Sequence, residues 1–384
     1  MRIALCLQYP LGLRGGVSVL VETLLREFAA RGHQIVLVSS DREDDLRKLK
    51  VAESIHQHIY FDEEKISRTV GKKLARQIAD AKVDLAHFHS GGAFVWGRLP
   101  FQGPVSYLDR LGVPCFSTVH LVIALTEGYC GPQRPIWFKL LALPPVWCAK
   151  MQQLWHTRRE IAVSQHDFQK LRRWYWPLKN RFVQIYHSQL PATAPVPLPQ
   201  REKIILNVGH IAWRKGQAVL AEAFAQIAGR HSEWTLQLAG YGGDGVSVEQ
   251  IHRIAKEHHL EQRIRLLGER ADAFELMRRA AIYVQPSFWE ALGLALQEAM
   301  FCGCACIGSR AGGIPELICE NETGLLFEPG NVAQLAAALE QLITDEKRRE
   351  QFGRLANASI GRQGMTVERM VARHLELYET ARRS

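Results

Sequence analysis

At 384 residues and 47% apolar composition, the chain is too long for one ordinary domain and apolar enough to bury two sizeable cores. It has no run of about 18 apolar residues, which excludes a spanning helix, and its first residues, MRIALCLQYPLGLRGG, lack the build of a cleaved signal; the expected location is cytoplasmic. The formal net charge of +9 favours an anionic partner, and ten Lys and Arg against three Asp and Glu place +7 of it in residues 124–181, with five of the nine tryptophans.

Arg2 to Gln8 reads as a short apolar strand, followed by a loop with Gly15 and Gly16. Val17, Leu20, Val21, Leu24, Leu25 and Phe28 then recur at helical spacing as far as Gly32. Gln34 to Ser39 is a second strand, so the chain opens with a βαβ unit. A glycine pair at the first strand-to-helix turn serves either an anion loop or a plain tight turn. Asp41 to Asp45 reads as a solvated charge run. After a helical region near Lys65 to Ala81, the strand Val83 to His89 carries His87 and His89 alternating with apolar neighbours, the pattern of structural residues. His120 closes the strand Pro114 to His120, at the carboxyl end where open α/β sheets bind ligands.

The pattern then loosens. Ile136, Trp137, Leu140, Leu141 and Trp147 are too apolar for a solvated loop, Lys139, Lys150, Arg158 and Arg159 flank them, and residues 171–176 repeat the mixture. Two readings stand for residues 136–176: contact with an anionic membrane surface, peripheral on the inner face of the cell membrane, or internal packing. Glu160 to Gln165 and Arg181 to His187 are two further strands. Pro191 to Gln200, with four prolines, reads as a stiff connector, so the expected domains are 1–190 and 201–363, with a helical tail over 364–384.

The second domain alternates strands and helices: strand Lys203 to Val208, helix from Gly216, strand Trp234 to Ala239, helix Val248 to His258, strand Ile264 to Leu267, helix Phe274 to Ala280 and strand Ile282 to Gln285. That is a doubly wound parallel sheet. Next comes the most informative stretch, PSFWEALGLALQEAMFCGCACIGSRAGGIPELI, residues 286–318. It reads as a turn into a helix, with Glu290 in the loop and Glu298 in the first helical turns. The amides of Leu292, Gly293 and Leu294 then form a helix N-terminus suited to phosphate. A diphosphate with a polyol on either side would use one carboxylate for each set of hydroxyls. Cys302, Cys304 and Cys306 alternate as small side chains of a buried strand do, and their spacing fits no common zinc pattern.

Pro286-Ser287, Glu290, Gly293, Glu298-Ala299-Met300, Gly303 and Gly312-Gly313-Ile314-Pro315-Glu316 resemble the donor site of glycosyltransferase family 4, retaining enzymes of α/β GT-B fold. In that fold two Rossmann-like, doubly wound parallel-sheet domains face each other across a cleft. Ala291 and Leu292 replace the family's Gly-Phe. The resemblance extends to Gly15-Gly16, to Asp84, His87 and His89, and to His120, whose counterpart faces the transferred sugar. Lys215 keeps its place in the phosphate loop beside Arg214, whereas His210 stands where arginine is usual, and Gly268 matches a strand end near the nucleotide base. His187-Ser188 replaces an Asn-Gly pair. The tail implied by the fold crosses back to the N-terminal domain.

The resemblance therefore implies His120, Lys215 and Glu290 as catalytic residues. Donor contacts would come from Gly16, His210, Arg214, Lys215, Gly268, Glu290, Leu292, Gly293, Leu294 and Glu298. The expected reaction is retaining transfer of a hexose-type sugar from a nucleotide-diphosphate sugar to a saccharide or lipid-linked acceptor, with no cofactor or metal, since Lys215 and the helix terminus offset charge on the leaving group. A nucleotide-sugar epimerase and a non-catalytic nucleotide-sugar-binding protein are the alternatives, separated by product analysis. Nucleic acid is not expected as a partner, because the basic segment has no recognised module. An imidazole at position 210 titrates near 6.5, so donor affinity is expected to fall between about pH 6 and 8.

Overall fold

The computed structural model describes residues 1–8, 10–12, 15–62, 67–90, 103–122, 135–191 and 201–383, which form two compact units. Unit 1 is Met1–Gln189 with Val367–Ser384, and unit 2 is Leu190–Thr366. In unit 1 the strands are β1 (Arg2–Leu7), β2 (Gln34–Ser39), β3 (Gln57–Tyr60), β4 (Leu85–Ser90), β5 (Cys115–Val119), β6 (Arg159–Ala162) and β7 (Phe182–Gln184). They form one parallel sheet in the order β3-β2-β1-β4-β5-β6-β7. Between them run α1 (Gly16–Ala30), α2 (Glu43–Leu46), α3 (Arg68–Asp80), α4 (Val105–Arg110), α5 (Ile136–Trp155) and α6 (Gln165–Trp174).

Unit 2 holds β8 (Glu202–Val208), β9 (Thr235–Ala239), β10 (Ile264–Gly268), β11 (Ala280–Gln285), β12 (Ala305–Ser309) and β13 (Gly324–Phe327), also parallel, in the order β10-β9-β8-β11-β12-β13. Its helices are α7 (Gln217–Ala228), α8 (Gly245–Glu257), α9 (Ala273–Arg279), α10 (Leu294–Phe301), α11 (Ile314–Leu317), α12 (Val332–Thr344) and α13 (Glu346–Arg362); α14 (Val367–Arg383) returns to unit 1.

The strands are apolar on both faces because each face is covered. Along β1, Ile3, Leu5 and Leu7 pack with Leu20, Leu24 and Phe28 of α1, while Ala4 and Cys6 meet Leu74 and Ile78 of α3 on the other side. α14 completes the first of these cores with Met370, Val371 and Tyr378, and the Tyr378 hydroxyl lies 2.6 Å from His87 Nδ1. In both sheets the strand order reverses at one place, between β1 and β4 and between β8 and β11, which opens the carboxyl ends of those strands as a binding crevice.

Several expectations need correction. Asp41 is not part of a solvated run: it is 3% exposed, and its carboxylate accepts from the amides of Leu11 (2.7 Å) and Gly12 (3.1 Å), tying down the loop after β1. Only Cys306 of the three cysteines lies in a strand; Cys302 caps α10 and Cys304 falls in the turn after it, its thiol donating to the Met277 carbonyl at 2.9 Å. Residues 136–176 are internally packed in part. Leu154, Leu171 and Tyr175 form a small core with Trp147, whose indole donates to the Trp174 carbonyl at 2.8 Å. Lys150 is buried against Glu160 at 2.7 Å rather than flanking a surface. Ile136, Trp137, Leu140 and Leu141, by contrast, are 60–76% exposed on the first turns of α5. The proline-rich connector falls on residues 192–200, outside the described residues, and no described helix is long and apolar enough to cross a membrane.

Candidate active site

Three loops meet at the carboxyl edge of unit 2's sheet, following β8, β11 and β12. Close backbone contacts hold them together. A Cβ at Gly216 would stand 2.0 Å from the Pro286 carbonyl oxygen and one at Gly312 only 1.6 Å from that of Glu290, so larger residues would separate the loops. The Phe288 amide also donates to the Arg214 carbonyl at 2.8 Å. Trp213 stacks on Phe288 with ring centroids 5.2 Å apart.

Lys215 and Glu290, from the loops beside the switch point, meet there at 2.6 Å, and both are largely shielded. Glu290 Oε2 also accepts from Gln285 Nε2 and the Ser287 hydroxyl, each at 3.2 Å. Gln285 is in turn fixed by the Tyr283 hydroxyl, which donates to its Oε1 at 2.8 Å. Burial pushes the Glu290 carboxyl upward, but the Lys215 ammonium, the Arg214 guanidinium and the Ser287 hydroxyl outweigh it and hold the carboxyl below its usual range. Lys215 is thus already engaged, and a phosphate would have to draw it from the carboxylate or bind beside the pair. The Arg214 side chain makes no hydrogen bond or ion pair among the described residues.

Gly293 stands at the start of α10 with φ +99°, a conformation that favours glycine, and it turns the chain from the Glu290 loop into the helix. The amides of Leu292, Gly293 and Leu294 donate to no described group, as expected of a helix N-terminus open to an anion. Glu298 is half-buried without a hydrogen bond or ion pair among the described residues, and burial raises its pKa to about 7.

His210 departs from the titration expected of it. Its ring lies against Tyr241 and over Gly243, with Nδ1 buried and unpartnered. Burial, Arg214 and Lys215 lower its pKa below the usual imidazole value, with Asp244 opposing them, so the free protein favours the neutral ring. Gly268 ends β10, two strands from β8, with φ +66° and its carbonyl accepting from the Gly240 amide.

The remaining candidates lie in unit 1. Gly16 is the first residue of α1, after the N-cap Gly15. His120 follows β5, and its Nε2 is 3.1 Å from His89 Nδ1. It belongs to a cluster of five histidines, with His87 and His89 of β4, His187 after β7 and His374 of α14. Burial lowers every one of these pKa values, to about 3 for His120 and about 4 for His374, and neighbouring rings add to it for all but His374, so the cluster is neutral. His187, which departs from the Asn-Gly pattern, packs on His120 with centroids 5.4 Å apart. Sequence reasoning missed Gln285, Tyr283, Asp244 and His374. Gln285 carried a signal: a polar residue ending an apolar strand must find a partner.

Two family models match the chain in succession, Glycosyltransferase Family 4 over residues 14–200 and Glycosyl transferases group 1 over residues 192–358. The chain belongs to glycosyltransferase family 4. This family 4 chain is 24% identical over 375 residues to N-acetyl-alpha-D-glucosaminyl L-malate synthase of Bacillus anthracis, covering 95% of the chain and 93% of the relative. Among solved structures it is similar to HepE of Anabaena in complex with UDP, with a TM-score of 0.76 at 18% identity over 99% of this chain and 100% of that one. It is also similar to WaaG, a glycosyltransferase involved in lipopolysaccharide biosynthesis, with a TM-score of 0.72 at 16% identity over 99% and 98%. The family 4 chain therefore has the GT-B fold.

Proposed function

We propose that this glycosyltransferase moves a hexose-type sugar from a nucleotide-diphosphate sugar to a saccharide or lipid-linked acceptor, with retention at the anomeric carbon, in the synthesis of a cell-surface polysaccharide, lipopolysaccharide or glycolipid. The observation that carries this reading is the Lys215–Glu290 pair beside the open N-terminus of α10. Cations and amides suited to a diphosphate next to a carboxylate suited to sugar hydroxyls support a nucleotide-sugar donor. Lys215, Arg214 and the amides of residues 292–294 stabilise the departing diphosphate, so the reaction needs no metal for that charge. Glu290 orients the transferred sugar, and Glu298, once ionised, accepts from donor hydroxyls. Unit 1 binds the acceptor, with His120 at the transferred sugar as a neutral hydrogen-bonding group. The UDP held by HepE supports a nucleotide donor, and the role of WaaG supports the pathway class. Contact with an anionic membrane runs through Ile136, Trp137, Leu140 and Leu141.

Incubation with a panel of nucleotide sugars and saccharide or lipid acceptors, read by mass spectrometry and by NMR of the new anomeric centre, tests this. A new α-glycoside from an α-linked donor is expected. Binding of donor with neither transfer nor donor hydrolysis would leave a non-catalytic binding protein, and a free sugar isomer would indicate an epimerase.

A further inference from the structure

One groove of unit 1 is built in a way the proposed reaction does not use. Helices α3 and α4 border an open groove of about 590 Å³ lined by four cations, Arg68, Lys72, Arg76 and Arg110, with Thr69, Tyr107 and Leu111 and no acidic residue among the described lining residues. Arg68, Lys72 and Arg76 lie four residues apart, on one stripe of α3. Like charges at that spacing repel and weaken a helix. Three cations at other helices have an acid one turn away: Arg31 with Glu27, Arg47 with Glu43 and Arg278 with Glu275. None of the four groove cations forms an ion pair among the described residues. Arg68 is oriented instead by a neutral group, its Nε donating to the Tyr107 hydroxyl at 3.3 Å. A concave surface lined by unneutralised cations concentrates anions.

We propose that the α3–α4 groove, whose described lining residues all belong to unit 1, binds a phosphate-bearing anion. Arginine forks match phosphate oxygens, and the stripe runs about 12 Å along the helix at 1.5 Å per residue, longer than a single carboxylate spans. The ligand is therefore a compound with more than one phosphoryl group or a row of phospholipid headgroups.

The full-length chain is compared with Arg68→Gln/Lys72→Gln/Arg76→Gln, at three exposed positions where glutamine keeps helix propensity, after circular dichroism shows equal folding. Lys73→Gln, exposed on the same helix but not lining the groove, serves as the charge control. One arm titrates inorganic pyrophosphate by calorimetry, and the other sediments the protein with vesicles of phosphatidylglycerol in phosphatidylcholine. Each lost cation is expected to lower vesicle affinity about fivefold, so the triple variant binds roughly a hundredfold more weakly while Lys73→Gln stays within about fivefold of wild type. Loss of a pyrophosphate component alone assigns a soluble phosphorylated ligand, and loss of vesicle binding assigns headgroups. Equal binding by wild type and triple variant in both arms, or a loss as large in Lys73→Gln, overturns it.

Discussion

Glu298 is strained in a way that can be measured without any substrate. Burial pushes its carboxyl from an ordinary glutamate value near 4.5 up to about 7 in the folded protein. Folding therefore penalises the charged form. The penalty is absent below the unfolded pKa, builds as pH rises from about 4.5 to 7, and is complete above that. At 1.36 kcal/mol per unit, the shift amounts to about 3 kcal/mol. Glu298→Gln replaces the protonated carboxyl by a neutral group of the same shape. It should match wild type at about pH 4.5 and exceed its stability by about 3 kcal/mol at pH 8. In urea unfolding, with m of roughly 1–3 kcal/mol/M, that is a midpoint shift on the order of 1 M. Taking the difference between the two proteins at each pH cancels every other titrating group. A difference that stays constant between pH 5 and 8 would refute the assignment of a half-buried carboxylate without a described partner. If Glu298 accepts from donor hydroxyls, donor binding near pH 7 should also release a proton, visible as a buffer-dependent binding enthalpy.

Lys215→Ala should lower turnover by about a hundredfold or more, the scale of losing one charge-stabilising group, and Glu290→Gln should lower kcat more than it raises KM; steady-state kinetics decides both. His210→Arg should tighten donor binding by about 1 kcal/mol, and any step that this ring gives the wild-type affinity should be displaced to the acid side of a free imidazole and vanish in the variant, as read by calorimetry. Lys150→Ala leaves the buried Glu160 carboxylate without its cation, with only the Ser117 hydroxyl and the Gln153 amide donating to it, and should cost about 3–5 kcal/mol in chemical unfolding, most of it recovered in Lys150→Met/Glu160→Gln. The five clustered histidines have lowered folded pKa values, so their contribution is complete above about pH 6.5 and is lost as pH falls towards 3–4. Unit 1 should unfold on acidification over that window, and His374→Phe should shift the transition to lower pH.

The two alternating arrays of strands and helices were legible because buried parallel strands such as Ile282 to Gln285 are continuous apolar runs between helical patterns. β3 was not, since its residues QHIY sit at the sheet edge, half of them polar and only Ile59 buried. α2 was hidden inside a charge run for a related reason: local composition there says nothing of the Leu11 and Gly12 amides that bury Asp41. Within the donor loops, the motif drew attention to Lys215 and Glu290 separately, but their mutual bond joins residues 75 positions apart and depends on the β8–β11 pairing. The histidine cluster is the extreme case. His87, His89 and His120 each carried a motif signal, whereas their meeting with His187 and His374 joins four segments between positions 87 and 374.

The place of α14 also bears on how the chain is made. Unit 2 is continuous in sequence, but unit 1 needs residues 367–383 to cover Phe28, His87 and Phe116, and these emerge from the ribosome after all of unit 2. At about 5–20 residues per second, roughly 10–40 s separate the end of residue 189 from the arrival of the helix. During that interval the nascent N-terminal unit carries an uncovered apolar face while its successor is free to fold. Chains stalled before residue 367 should therefore be cut by protease within residues 1–189 and spared within unit 2, which places the greatest need for a chaperone on the segment synthesised first.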